Sequence, residues 1–350
     1  LPNHSDLEGI LKEIFLQSGL DFVCLVNDPK LWTLALSRID YISTNLLPSI
    51  INYEAVYASD DCNSSVNLSL ILMHDGRPCA VWPLIFTLVK NDTDSISHCV
   101  PIQAPRFIQG VSFRTIGRIV AKCYLAISNL ISRFNIRNLQ IIDGFDGSQV
   151  GINAWHRQAL KSEANILLRY DLYLDLQTGL EGIRSHIRPS YKPLINSGKR
   201  LWGVHILTNA DLNVWAEFRE LHQQVAGRVT RSSATWCLQL DAIAQKDAFL
   251  VYLRDETNAM IGGALFFCSR DEGLYAVGAY DRTRFDSPVG HVVQYIAIQE
   301  MLARGLKWYK IGDRPFVHQQ PKPSAKELTI ADFKQGFSSH IISKYIFTHV

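Results

Sequence analysis

Two similar α/β domains with mixed sheets are what this sequence predicts, and three observations predict them. The chain has 350 residues, more than a single hydrophobic core usually fills. Its composition, 47% hydrophobic and 19% charged, supplies enough apolar side chains for sizeable cores and too few charges for a disordered chain. An order of strand, strand, strand, helix, strand occurs twice along it. The predicted domains are residues 1–172, including a helical N-terminal segment, and residues 173–350, meeting near Tyr170 to Asp175.

Each element follows from its local pattern. Residues 5 to 50 are largely helical and apolar and are expected to cover the first sheet. The run "VNLSLILMHDGRPCAVWPLIFTLV" reads as two strands joined at Asp75-Gly76, a dipeptide suited to a tight hairpin turn. A helical pattern from Phe113 to Phe134 leads into the short strand "LQIIDG". In "IRPSYKPLINSGKRL" Arg184, Arg188 and Lys192 recur every four residues, which lines one helix face, and Pro193 should kink or break that helix. Leu212, Trp215, Phe218, Leu221 and Val225 then mark an amphipathic helix. "AFLVYLRDETNAMIGGALFFCS" repeats the hairpin, with a turn around Glu256 and Asn258. Ser287 is placed to cap the next helix, Pro288 suits its first position and Gly305 its left-handed exit, before the strand "KWYKIGD".

A formal charge of +2 is too small for a general nucleic-acid binder, so any anion site must be local, and no DNA partner is expected. The seven cysteines are odd in number, widely spaced and mostly set among apolar neighbours, which reads as buried thiols in a reducing compartment. The start "LPNHSDLEGILKEIF" has no basic segment followed by a long apolar run, and no stretch of 18 apolar residues occurs, so the expectation is a cytoplasmic protein without a membrane span. A P-loop, a GxSxG elbow, an HExxH pair and a CxxC pair are all missing, which disfavours NTPase, α/β-hydrolase and zinc chemistry, and no metal is predicted.

Seven loose motifs in order, "DLYLDL", "SYKPLINSGKR", "FRELHQQVAGR", "IGGALFF", "YAVGAYD", "PVGHVVQYIAIQEMLARGLKWYKIGD" and "IADFKQGF", cover residues 171 to 337. Together they make the second half resemble the FemAB family, whose members pair two domains of the GNAT acyltransferase type and transfer aminoacyl or other acyl groups to amines. The resemblance implies two tandem GNAT-like acyltransferase domains. It places Arg228 where the family binds the acceptor's phosphate side, and matches Phe333 and Lys334 to a pair at the acyl-donor site.

The remaining candidates come from the residues themselves. A cationic face carrying Arg188 and Lys192 could hold phosphate, or could be an ordinary solvated surface. Tyr275 and Tyr280 flank "AVGA" in a strand where a hydroxyl could protonate a leaving group or orient a carbonyl, although strand tyrosines commonly just pack. Asp313, at the end of "WYKIGD", and Asp281 are carboxylates at strand ends, as proton acceptors or caps. His222 shares a helix face with Phe218 and Val225, which favours a satisfied histidine over a general base or acceptor ligand. Arg282 and Arg284, in "DRTRFDSPVGH", could attract an anionic donor. Measured against the coenzyme A cradle that the GNAT resemblance implies at this position, the loop lacks the glycines and Pro288 offers no N–H, which argues against coenzyme A without excluding it.

The resemblance, together with the basic stretch, implies an acyltransferase that forms an amide on an amine of an anionic, phosphate-bearing or sugar-linked acceptor, such as an envelope precursor. The donor the resemblance implies is aminoacyl-tRNA or an acyl-CoA, with no tightly bound cofactor expected. The rival reading is a noncatalytic binding protein that kept the duplicated fold and an anion-binding cleft. Convergence of the 281–291 loop with Phe333 and Lys334 on one cleft separates the two.

Overall fold

The computed structural model describes residues 4–59, 63–89, 96–97, 101–136, 139–148, 152–284 and 286–348. Cys62 and Cys99 lie outside them; Cys24, Cys79, Cys123 and Cys268 are free and buried, and Cys237 is free and exposed. The chain divides into one unit of Leu1–Leu168 with Lys344–Val350, and another of Arg169–Ser343. The expected boundary at 172/173 falls within the strand that opens the second unit, and the last residues return to the first.

The first unit contains α1 (His4–Gln17), β1 (Phe22–Cys24), α2 (Pro29–Ser37), α3 (Pro48–Ala58), β2 (Asn63–Asn67), β3 (Leu70–His74), β4 (Arg77–Trp82) and β5 (Ile85–Val89). It continues with β6 (Ile96–Ser97), β7 (Ile102–Gln103), β8 (Arg106–Phe107), α4 (Phe113–Phe134), β9 (Gln140–Asp143) and α5 (Ala154–Lys161). Asp75 and Gly76 both have positive φ, 50° and 70°, which closes the β3–β4 hairpin as their sequence predicts. The two long strands expected here are each broken. Pro83 cannot donate to a ladder, and the Asn67 side chain accepts the Ser69 N–H at 3.0 Å. β2 and β5 therefore pair in a separate sheet with β6, while β1, β3, β4 and β8 form another.

Alternation along the hairpin explains why helices cover both faces. Leu70, Leu72, Ala80 and Trp82 join Phe15, Tyr124, Ile127 and Leu130 in one core, and Ile71 and Val81 join Trp32, Leu36 and Ile51 in another. α4 has the predicted bounds because Ser112 caps its start by accepting the Thr115 N–H and Asn135 leaves it in the left-handed conformation.

The second unit opens with β10 (Asn165–Asp175), α6 (Gly179–His186), α7 (Tyr191–Leu201), β11 (Gly203–Leu207), α8 (Leu212–Ala226) and α9 (Ser233–Ala244). It continues with β12 (Ala248–Arg254), β13 (Met260–Cys268), β14 (Glu272–Tyr280), α10 (Val289–Ala303), β15 (Trp308–Asp313), α11 (Ala325–Gln335) and the start of β16 (His340–Thr348), whose residues from Lys344 on belong to the first unit. β11 to β14 form an antiparallel meander, β14 then runs parallel to β15, and β15 pairs antiparallel with β10. β12 and β13 are buried along almost their whole length, the mark of strands covered on both faces. A Cβ added at Gly262 would meet Val289 of α10, and one at the neighbouring Gly263 would meet Phe218 of α8. Since successive side chains point to opposite faces, α10 lies on one side of the sheet and α8 on the other.

Pro193 does not break a helix. It sits in the first turn of α7, where no intrahelical N–H is required, and the break falls earlier, at Arg188 to Ser190. Gly198 lets α7 close on α10, because a Cβ there would lie 2.5 Å from the Val292 side chain.

Candidate functional site

The second unit's sheet opens where β14 and β15 part. Their parallel pairing covers only Glu272–Leu274 against Trp308–Lys310, so β14 beyond Leu274 has no ladder partner from β15. On its other edge the register with β13 shifts between Leu265 and Phe266, and Ala276 is the extra residue. Such a bulge leaves backbone groups unpaired and bends the strand. The side chains at this opening come from four elements.

Tyr275 and Tyr280 of β14 bring their hydroxyls within 3.4 Å of each other. Tyr309 of β15 donates to Gln294 of α10 at 2.5 Å, and both are buried. From α11, Lys334 places its ammonium 4.9 Å over the Tyr275 ring and against Gly312, where a Cβ would lie 2.5 Å from Nζ. Phe333 covers Gly290, whose added Cβ would meet the Phe333 ring at 3.3 Å and Tyr280 at 3.9 Å. His291, one residue on, packs edge-on against Tyr191 at 4.4 Å and Phe333 at 5.0 Å.

Burial sets the protonation states. It raises both tyrosine hydroxyls above their ordinary value, Tyr280 strongly, with the neighbouring Tyr275 adding to the effect. Both are therefore protonated donors at neutral pH. Burial also lowers the Lys334 ammonium, opposed by the nearby Asp313 carboxylate, and brings His291 to about 4 with help from Arg188. The arrangement gathers hydroxyl donors, one cation and strand backbone around a gap, which suits stabilising negative charge on a carbonyl oxygen.

No family model matches the sequence, and no curated protein matches it. Among solved structures, FemX superposes with a TM-score of 0.59 at 12% identity, over 88% of this chain and 96% of that one. L-PGS from Bacillus licheniformis follows at 0.54 and 11%, over 91% of each chain. A tandem GNAT protein from the clavulanic acid biosynthesis pathway gives 0.51 at 13%, over 94% of this chain and 98% of its own. Near-complete coverage of both chains, together with the β11–β15 order and the parted strands, decides the architecture. The chain has a tandem GNAT fold.

Within the second GNAT unit, the structure joins some predicted residues and separates others. Tyr275, Tyr280, Phe333 and Lys334 share the opening with the first turn of α10, and Asp313 ends β15 close to Lys334. Arg188 is not an available cation. Asp332 of α11 engages it at 3.0 and 3.2 Å through both guanidinium nitrogens, and Arg188 also donates to the Tyr191 hydroxyl at 3.1 Å. The stretch around Arg188 lacks acids in sequence, but its partner arrives from 144 residues away. Lys192 is half-buried in the first turn of α7.

Arg284 is likewise committed, at 2.7 Å from Asp255 and 3.6 Å from Asp281, which leaves only the exposed Arg282 of that pair to meet a donor. Asp281 itself accepts from the Thr283 N–H and hydroxyl, so it organises the turn. Ser287 makes no cap hydrogen bond to α10, whose N-cap is Pro288. His222 receives Arg231 at 3.2 Å and packs on Trp236, and burial with that guanidinium lowers its pKa. Like the exposed Arg228, it belongs to the α8 side of the sheet, opposite α10. Sequence reasoning missed Tyr191, Gly290, His291, Gln294, Tyr309 and Asp332. All six lie inside the quoted motifs "SYKPLINSGKR", "PVGHVVQYIAIQEMLARGLKWYKIGD" and "IADFKQGF", but nothing local in those motifs singles them out from their neighbours.

Proposed function

We propose that this protein is an acyltransferase whose second GNAT unit forms an amide by direct attack of a substrate amine on an activated carbonyl. The observation that carries the reading is the convergence of Tyr275, Tyr280 and Lys334 at the gap where β14 leaves β15, beside the bulge at Ala276. A carbonyl in this gap would meet backbone N–H groups of the bulged strand and the Lys334 ammonium as its oxygen becomes negative. The amine nitrogen forms the new C–N bond, the C–O or C–S bond to the donor breaks, and the leaving oxygen or sulfur takes a proton. Tyr275 or Tyr280 can supply it, because burial keeps both hydroxyls protonated. Asp313, exposed at the end of β15 and near Lys334, is our candidate for taking the proton the attacking amine sheds. Positioning and electrostatics would do the catalysis, without a covalent enzyme intermediate.

The acceptor we propose is an anionic, phosphate-bearing or sugar-linked amine, with Lys192, on the α7 that packs against α10, as its candidate cation in place of the paired Arg188; Arg228, on the opposite face of the sheet, drops out of that set. For the donor, Phe333 and Tyr280 crowd Gly290 at the start of α10, and Pro288 caps the helix without a glycine-rich loop. That favours aminoacyl-tRNA over acyl-CoA. The test is incubation with each donor class and candidate amines, followed by mass measurement of products. Acyl gain that disappears in Lys334→Met supports the assignment; no gain with either donor supports the binding-protein reading.

A further inference from the structure

A second cleft lies wholly inside the first unit. Parallel pairing of β7 with β9 stops after Gln103, and the chain crosses through Ala104 and Pro105 so that β8 pairs with β4. The space left beside this crossing is about 900 Å³, within the range of small-molecule sites. α4 lines it with Phe113, Ile116 and Val120, and α5 with Arg157 and Lys161, one helical turn apart.

The pairing of the charged groups decides the sign of the ligand. Every acid facing the cleft is occupied. Asp143 takes His156 Nδ1 at 2.9 Å and Asn153 Nδ2 at 2.6 Å; Asp146 takes the Ser148 N–H and hydroxyl at 3.1 Å each and lies 3.7 Å from Arg106; Asp40 accepts from Gln109. Arg106 also donates to the Phe145 carbonyl at 3.2 Å. Arg157 and Lys161, by contrast, are exposed and have no carboxylate at ion-pair distance among the described residues. Large apolar side chains are left uncovered on the same cleft, Phe113 at 95% exposure and Ile152 at 58%. Isolated exposed apolar residues are ordinary, but here they share a concave site with unpaired cations.

We propose that this cleft binds an organic phosphate, its phosphate on Arg157 and Lys161 and its apolar or aromatic body against Phe113, Ile116 and Ile152. Arg157 can take two phosphate oxygens in its planar fork while Lys161 adds a point charge. The inference concerns the first unit alone and stands whether or not the second transfers acyl groups.

Calorimetric titration of the full chain with inorganic phosphate, phenyl phosphate and monomeric decyl phosphate tests it. The organic phosphates should bind more tightly than inorganic phosphate, and the better of the two tells a nucleotide-like from a lipid-like body. Arg157→Gln with Lys161→Gln should weaken both by about tenfold or more. Phe113→Ala should weaken the organic phosphates and leave inorganic phosphate unchanged. In the unmodified chain, the tighter ligand should protect Lys161 from acetylation while the exposed Lys30 of α2 stays reactive. No saturable binding of either organic phosphate, binding indifferent to the double substitution, or no protection of Lys161 overturns the proposal.

Discussion

Lys334 and His291 both pack on aromatic rings, and burial draws both toward their neutral forms. The consequences differ. His291 falls to about 4 in the folded chain from 6.5, so the fold disfavours imidazolium. Its contribution is complete above pH 6.5 and is lost progressively as pH falls from 6.5 towards 4. Denaturant titrations across that window should show the loss, and His291→Phe should flatten it. Lys334 has no carboxylate at ion-pair distance among the described residues, so Lys334→Met should leave the melting temperature within a few degrees while lowering kcat on the order of 100-fold. Arg188→Ala breaks the Asp332 pair, and because both side chains are substantially exposed it should cost about 1 kcal/mol and let the Asp332 carboxyl rise from its lowered pKa. Tyr275, Tyr280, Phe333 and Lys334 were legible because each sits in a local motif. Asp332 as the partner of Arg188 was not, because a contact across 144 residues leaves no local pattern.

The helices around the opening depend on small residues and caps, and this is where sequence reading succeeded unevenly. α4 and α8 were legible from periodicity, although Leu212, the first residue of the predicted apolar stripe of α8, is 76% exposed. Breaks are harder to read, because the same residue type ends a strand at Pro83 and fits a helix's first turn at Pro193. Gly198 is the contact between α7 and α10, so Gly198→Leu should destabilise by several kcal/mol in urea unfolding through overpacking on Val292 and Trp202. α11, which carries Phe333 and Lys334, starts with a capping box of Ser324 and Glu327. Ser324→Ala should cost about 1 kcal/mol and raise hydrogen exchange in the first turn of α11.

At the scale of the molecule, duplication was legible and its details were not. The strand, strand, strand, helix, strand order occurs in both units, but the first breaks its third strand into β7 and β8 and folds β2, β5 and β6 aside. What the two halves keep in common is a strand that leaves its parallel neighbour, at Leu274 in one and Gln103 in the other. The central claim is that the second of these openings transfers an acyl group. Product mass after incubation with aminoacyl-tRNA and a phosphate-bearing amine tests it most directly: the account predicts one acyl unit gained with the wild-type chain and none above background with Lys334→Met. An unchanged amine with aminoacyl-tRNA and with acyl-CoA alike, or an equal gain in both chains, would contradict it.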